Sequence, residues 1–372
     1  MTASMPPIDC FVSWTSTTMH LAEMLANRAV PAAGISIGIT RKCPLSCAHC
    51  STNSSMDSEE SPAELYTRFV DTFSVKSHPK FMAMSGGEAL LRPQLVRKLA
   101  VKARESGTKS SVLSGMFFAR KTSISRSVKA AIDAVDHFSV SMDEFHEREV
   151  SRSNVFKVIG RLLDDGISMS MHIAGRSNDD PYLDDLVHDV QKHFGDRIPM
   201  LVNTLSPFGR AKAFVIRVVS KLDKPRANPC TMAAWPVVGF DGVVAVCGND
   251  DLIGCVPSHL RLGDIRTDTW PEIQARCIGG TMPSALRTYG PEYLQSSFGK
   301  AGSACVGYCN SCISLETKIA LQNLVSTHMR KPGSKVLSDS VTQMQVEMGA
   351  VQFAKRYSHP RFAELVLLGS RQ

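Results

Sequence analysis

At 372 residues, with 43% hydrophobic and 21% charged residues, the chain is long enough for one large domain with an appendage, or for two domains, of an ordinary globular enzyme. No apolar run approaches the roughly 18 residues a membrane-spanning helix needs, and the opening MTASMPPIDCFVSW lacks a basic region followed by an apolar one. A cytoplasmic protein with no membrane partner is therefore expected. The net charge of +7 is dispersed, without the basic run of a nucleic-acid arm, and reads as a solvated surface that leaves an acidic substrate or partner open.

From about residue 33 to 215, strand-like runs alternate with amphipathic segments. GISIGIT (34–40) alternates as a strand and leads into a cysteine-rich loop. Ser61, Pro62 and Glu64 then read as a helix start, with Ser61 capping, Pro62 in the first turn and Glu64 at the capping-box position. KFMAM (80–84) is the second strand, and 93–107 is a helix begun by Pro93 and stopped by Gly107. SSVL (110–113) and HFSVS (137–141) read as strands with a helix near 123–134 between them. A helix over 153–165 ends at Gly166, SMSMHIA (168–174) is a strand, 181–194 is a helix and MLVNTL (200–205) is a sixth strand. Six such units imply a parallel sheet covered by helices. Six is fewer than the eight of a closed barrel, so the expected fold class is α/β, a partial (β/α)6 TIM-like barrel with chemistry at the strand C-terminal ends.

Beyond Phe208-Gly209-Arg210 the texture changes. Residues 220–230 are polar and hold two prolines, 230–315 are cysteine-rich, and 316–372 read as helices broken at Lys331-Pro332-Gly333. The expected divisions are an N-terminal extension (1–32), the barrel (33–219), a C-terminal cysteine-rich domain (220–315) and a helical tail (316–372).

The 11 cysteines cluster, three within 43–50 and three within 305–312. Thiols packed so closely in a reducing compartment bind metal more often than they form disulfides. Cys43, Cys47 and Cys50 lie at C-x3-C-x2-C spacing. Three thiolates can hold three irons of a [4Fe–4S] cluster and leave the fourth open for chemistry. Zinc is the competitor, but it usually takes four ligands, and His49 adjoins Cys50 too closely to chelate without strain. The segment Ser85-Gly86-Gly87-Glu88 closes the second strand, where glycines permit close backbone approach.

This pair of motifs at the ends of the first two strands resembles the radical S-adenosylmethionine (SAM) superfamily. The resemblance implies a [4Fe–4S] cluster on Cys43, Cys47 and Cys50, with Gly86, Gly87 and Glu88 around the methionine amino group of SAM. Ser114, in Ser114-Gly115, falls at the family's third-strand position near the ribose. Ser141, with Asp143 beyond it, ends the fourth strand where ribose or carboxylate is contacted. Arg210, in Leu205-Ser-Pro-Phe-Gly-Arg-Ala211, resembles the segment that closes the barrel in members with auxiliary clusters. His49, before the last cysteine, is expected only to pack near adenine, and His146 in DEFHE to be an ordinary loop or core residue. The implied mechanism is one-electron cleavage of SAM to methionine and a 5′-deoxyadenosyl radical, which abstracts a substrate hydrogen.

Cys230 and Cys247, with Gly242 between them in a GFDGVVAVC hairpin, resemble the C-x(9–15)-G-x4-C element of the SPASM and twitch subfamilies. The chain then departs from a full SPASM domain, with Cys305, Cys309 and Cys312 where a C-x2-C-x5-C-x3-C run is usual. The resemblance therefore implies a twitch-like auxiliary [4Fe–4S] cluster on Cys230, Cys247, Cys309 and Cys312, with structural zinc as its competitor. Cys255 and Cys305 are left as candidate hydrogen donors to a substrate radical, Cys277 stands isolated without an assigned role, and Cys10 reads as a small buried hydrophobe. The expected activity is oxidative maturation of a ribosomal peptide, by crosslinking or dehydrogenation, with flavodoxin or ferredoxin as reductant. The alternatives are a dehydrogenase or epimerase of a sugar or aminocyclitol in natural-product biosynthesis, and a structural metal protein, for which the Gly-Gly-Glu motif would have no purpose.

Overall fold

A computed structural model describes residues 19–215, 226–252, 254–299 and 307–370. Cys10, Cys305 and much of the expected boundary at 220–230 lie outside the described residues. A short helix, α1 (Leu21–Ala26), precedes strand β1 (Gly34–Gly38). Five α/β alternations come next: α2 (Ala63–Val70), β2 (Phe81–Ser85), α3 (Pro93–Glu105), β3 (Lys109–Ser114), α4 (Arg126–Ala134), β4 (His137–Asp143), α5 (Glu144–Glu149), α6 (Arg152–Asp164), β5 (Met169–Gly175), α7 (Pro181–Phe194) and β6 (Met200–Thr204). All six strands are parallel and paired in chain order. The expected six-stranded partial barrel is the observed core.

Local sequence explains the boundaries. Asp180 accepts the Tyr182 amide at 3.0 Å and Pro181 occupies the first turn of α7, which buries Leu183, Leu186, Val187, Val190 and Phe194 on one face. Each such side chain contributes roughly 1.5–3 kcal/mol of transfer free energy. Gly195 (φ +60°) then ends the helix. The capping box expected at Ser61 does not form. Pro62 takes the cap position, and the Ser61 hydroxyl donates instead to the Phe240 carbonyl at 2.5 Å.

The sheet does not stop at the barrel. The short strand β7 (Val237–Val238) pairs parallel to β1, and β8 (Val243–Ala245) and β9 (Arg261–Asp264) continue antiparallel, giving nine strands in the order β6-β5-β4-β3-β2-β1-β7-β8-β9. The turn between β7 and β8 is the expected hairpin, with Gly242 at φ +87°. Gly34 is required at this junction, because a Cβ there would lie 2.4 Å from the Trp235 ring. Among the described residues, six α-helices follow: α8 (Trp270–Gly279), α9 (Thr281–Tyr289), α10 (Pro291–Phe298), α11 (Tyr308–Ile313), α12 (Ile319–Met329) and α13 (Pro332–Tyr357). After α13, the chain returns to the free edge of β6, where the His359 amide donates to the Val202 carbonyl at 2.7 Å. Among the described residues, no helix is long and apolar enough to cross a membrane.

Candidate active site

The loop after β1 carries Cys43, Cys47 and Cys50 and is stitched to the loop after β2. The Gly87 amide donates to the Thr40 carbonyl and the Glu88 amide to the Lys42 carbonyl, both at 2.8 Å. A Cβ on Gly86 (φ +146°) would lie 2.1 Å from the Thr40 oxygen, and one on Gly87 would lie 2.4 Å from the Lys42 oxygen. The glycines therefore seat the cysteine loop as well as opening the cradle beside it, a role that sequence reasoning assigned only to a ligand.

From the far side, Arg210 clamps the same loop. Its amide donates to the Cys50 carbonyl at 2.9 Å, Nε to the Cys47 carbonyl at 2.9 Å and Nη1 to the Ser54 carbonyl at 2.8 Å. Its Nη2 is buried without a partner, and the residue lines the same cavity as the three cysteines. That cavity of about 190 Å³ is bounded by Cys43, Cys47, Cys50, Gly86, Gly87, Glu88, Ser141 and Arg210 among others. Ser114 sits behind it, its hydroxyl donating to Glu88 Oε2 at 3.1 Å. The same oxygen accepts the Gly115 amide at 2.9 Å, and Oε1 accepts the Leu90 amide at 3.0 Å. Burial pushes the Glu88 carboxyl up to about 7 against these hydrogen bonds.

The thiols differ electrically. Burial pushes Cys43 up to about 12. Burial also opposes ionisation of Cys50, but hydrogen bonds from Thr52 and the Ser54 amide, with the Arg210 charge, outweigh it and hold this thiol below its ordinary range.

Two histidines that sequence reasoning treated as bland meet here. Asp143, 2% exposed, caps α5 through Oδ1, which accepts the Phe145 and His146 amides at 2.9 Å. Its Oδ2 takes His146 Nδ1 and His49 Nε2. Asp143 is thus saturated by protein donors and is absent from the lining of the cavity. His146 also hydrogen-bonds the Cys47 sulfur. Burial disfavours its imidazolium, yet Asp143 and Cys47 outweigh this and push its pKa up to about 10. His49 stacks on Phe145 with ring centroids 4.9 Å apart, and its Nδ1 is buried without a partner at the cavity wall. The available signal was the i, i+3 spacing of Asp143 and His146 at a strand end.

A second thiol group forms beyond the hairpin. Cys247 follows β8, Cys230 precedes β7, and Cys309 and Cys312 share one face of α11. Cys247 is electrostatically coupled to Cys230 and Cys309, and Cys312 to Cys247, Cys230 and Cys309, which places the four in one neighbourhood. Burial raises the pKa of Cys230, Cys247 and Cys312, to about 12 at Cys247. Metal binding would displace those protons. Cys277 is fully buried and donates to the Ala234 carbonyl at 3.3 Å, while Cys255 is exposed.

The donor sets fit clusters better than single ions. Tetrahedral zinc draws thiolate sulfurs to about 3.8 Å from one another. Among the described residues, the one trio of ligand atoms all within 4.8 Å is His49, Asp143 and His146, and no three sulfurs come that close. Thiolate sulfur is the usual donor to an iron–sulfur cluster, and both sets supply it.

A second cavity, of about 110 Å³, shares Thr52, Ser85 and Gly86 with the first and is closed by Val238, Cys247 and Asp250. Asp250 is half-buried; desolvation raises its pKa, and it hydrogen-bonds Ser51. Nothing in the sequence spacing singled it out.

Residues 37–190 match the family model described as the Radical SAM superfamily. That span is similar to a radical SAM domain. This family uses a [4Fe–4S] cluster and SAM, and the three-thiol cavity lies within the matched span except for Arg210. The chain is similar in fold to SuiB of Streptococcus suis, solved bound to S-adenosylmethionine, at 11% identity and TM-score 0.51 over 78% of this chain and 75% of that one. It is likewise similar to anSMEcpe, solved with bound AdoMet and the Cp18Cys peptide, at 14% identity and TM-score 0.50 over 79% and 99%. No curated protein sequence matches the chain.

Proposed function

We propose that this radical SAM domain acts on a peptide, in an oxidative maturation that forms a crosslink or a double bond, with a second iron–sulfur cluster on Cys230, Cys247, Cys309 and Cys312. The observation that carries this reading is the pair of adjoining cavities, one walled by Cys43, Cys47 and Cys50 and the other reaching Cys247. A substrate in the second cavity has one thiol set on either side.

When bound, the cluster and SAM supply one-electron cleavage of the sulfonium and a carbon-centred radical that takes hydrogen from substrate, and a cluster at the second set would supply an electron acceptor. The chain's own residues do the rest. Gly86 and Gly87 leave room for the SAM amino end, and Glu88, whose carboxyl is held by Ser114 and two amides, lines the cavity beside them. Arg210 and the Asp143 pair with His146 fix the cysteine loop. Asp250 is a half-buried carboxyl on the wall of the second cavity, placed to accept the proton that an oxidised substrate releases. Peptide is favoured as substrate because the similar fold of anSMEcpe was solved with SAM and a peptide together. The reductant is proposed to be a flavodoxin or ferredoxin.

The test is made on anaerobically reconstituted protein with dithionite. SAM should be cleaved to 5′-deoxyadenosine, and the Cys43, Cys47 and Cys50 triple Ala variant should lose that activity while keeping about four irons per chain. Continued 5′-deoxyadenosine formation by the triple variant would refute the catalytic assignment. Turnover that depends on an aminocyclitol or amino sugar and never on peptides would overturn the substrate class.

A further inference from the structure

Arg28 lies between α1 and β1, in the segment expected from sequence to be a mere extension. It is 9% exposed, with its guanidinium over the Trp235 ring at 4.8 Å. Trp235 is itself buried, and its indole N–H donates to the Asn27 carbonyl at 3.3 Å, so the roof over Arg28 is fixed. The Arg28 Nη1 is buried and has no hydrogen-bond partner. No carboxylate among the described residues forms an ion pair with it. The groups whose charge it feels are the sulfurs of Cys230, Cys247 and Cys277 and the phenol of Tyr357.

A buried cation without a counter-charge costs several kcal/mol, and neutral thiols do not offset that cost. Four thiolates around a doubly positive iron–sulfur core carry a net charge of about −2, which does. The neighbouring Arg287 is a different case. It is also buried and also near Cys230, but its Nη1 and Nη2 donate to the carbonyls of Ala233, Cys277 and Ile278, and only its Nε lacks a partner. Arg28 is not held by backbone at Nη1, and its charge is coupled to both Cys230 and Cys247.

We propose that Arg28 is the fixed counter-charge of the metal centre held by Cys230, Cys247, Cys309 and Cys312, and that it raises the reduction potential of that centre. The proposal rests on the auxiliary-cluster reading above. Arg28 is a positioning residue here: it touches neither substrate nor SAM. A cation in a dry setting favours the more negative, reduced form of the centre, and Trp235 keeps water from screening it.

The experiment uses the full chain in the triple Ala background at Cys43, Cys47 and Cys50, so that only the second centre contributes. Iron and zinc per chain are measured, and reduction is followed by electron paramagnetic resonance during a potentiometric titration. Arg28→Met should keep iron and shift the midpoint to lower potential, while Arg28→Lys stays near the parent. An iron-loaded Arg28→Met protein with the parental midpoint overturns the proposal. If Arg28→Met fails to hold metal, retention by Arg28→Lys upholds the charge role. Loss in both variants assigns Arg28 to packing on Trp235 and overturns it. A parent triple variant carrying zinc or no metal refutes the auxiliary-cluster reading itself, and the redox role of Arg28 with it.

Discussion

Asp143 holds two histidines through one oxygen, its Oδ2 lying 2.6 Å from His146 Nδ1 and 3.0 Å from His49 Nε2. Both rings reach the cysteine loop, His49 from within it and His146 through the Cys47 sulfur. Asp143→Ala removes the cap of α5 together with both ring contacts. Stability of the metal-free protein should fall by about 3 kcal/mol, the scale of breaking a buried charged pair. Denaturant unfolding measures this, and a change under about 1 kcal/mol would show the arrangement to be incidental.

Gly87→Ala tests the stitching of the two loops. Its Cβ would meet the Lys42 and Arg41 carbonyl oxygens at 2.4 and 2.5 Å, both of them backbone that cannot swing aside. The cysteine loop must move by something near 1 Å. A misplacement of that size costs about a hundredfold in rate. The expected outcome is a folded protein with 5′-deoxyadenosine formation reduced about that much, and a wild-type rate would show that the loop tolerates the shift.

Asp250→Asn separates hydrogen abstraction from the oxidation of the substrate radical. 5′-Deoxyadenosine should still form, because Asp250 closes the second cavity and is absent from the walls of the first. The oxidised product, two mass units lighter than substrate, should fall about tenfold or more for loss of a proton acceptor. In deuterated water the product should carry no solvent deuterium at the abstracted position, and Cys255→Ala should change nothing, since Cys255 is exposed. Deuterium uptake that disappears in Cys255→Ala would replace oxidation with epimerisation.

Acid should weaken the metal-free protein through two buried histidines. Burial lowers His137 to about 3 and His172 to about 4, so both are neutral when folded. The unfolded chain binds their protons below about pH 6.5 and the native chain does not. Their contribution is therefore complete above pH 6.5 and is lost as pH falls toward the folded values, by up to about 1.4 kcal/mol per pH unit for each. His137 also ties β4 to the Met19 carbonyl and to Ser168 and Ser170. His137→Gln should flatten the decline in melting temperature between pH 6.5 and 5. A slope identical to wild type would remove His137 as a cause.

The barrel was legible because its strands alternate with helices that end on strong local signals. The limits of α7 follow from Asp180, Pro181 and Gly195. The reading failed at Ser61, where a carbonyl 179 residues away outcompeted the local cap. It also missed α1, whose six residues are all buried and show no periodicity. The cysteines and Gly86-Gly87-Glu88 were found because metal ligation and close backbone approach impose fixed spacing. Arg28, Asp250 and His146 act through charge delivered from separate elements, and no local pattern is demanded of such residues.

The parallel pairing of Ser36 with Val237 and Ile37 with Val238 makes the opening strand of the barrel an interior strand only once a segment some 200 residues later has arrived. Pairing over that distance raises contact order and slows folding. A nascent chain that has completed six strands still presents β1 as a bare, apolar edge able to template another copy. A fragment ending near residue 215 should accordingly aggregate rather than yield an isolated barrel, and dissecting the two thiol groups by truncation would destroy both, whereas point substitution leaves the seam intact.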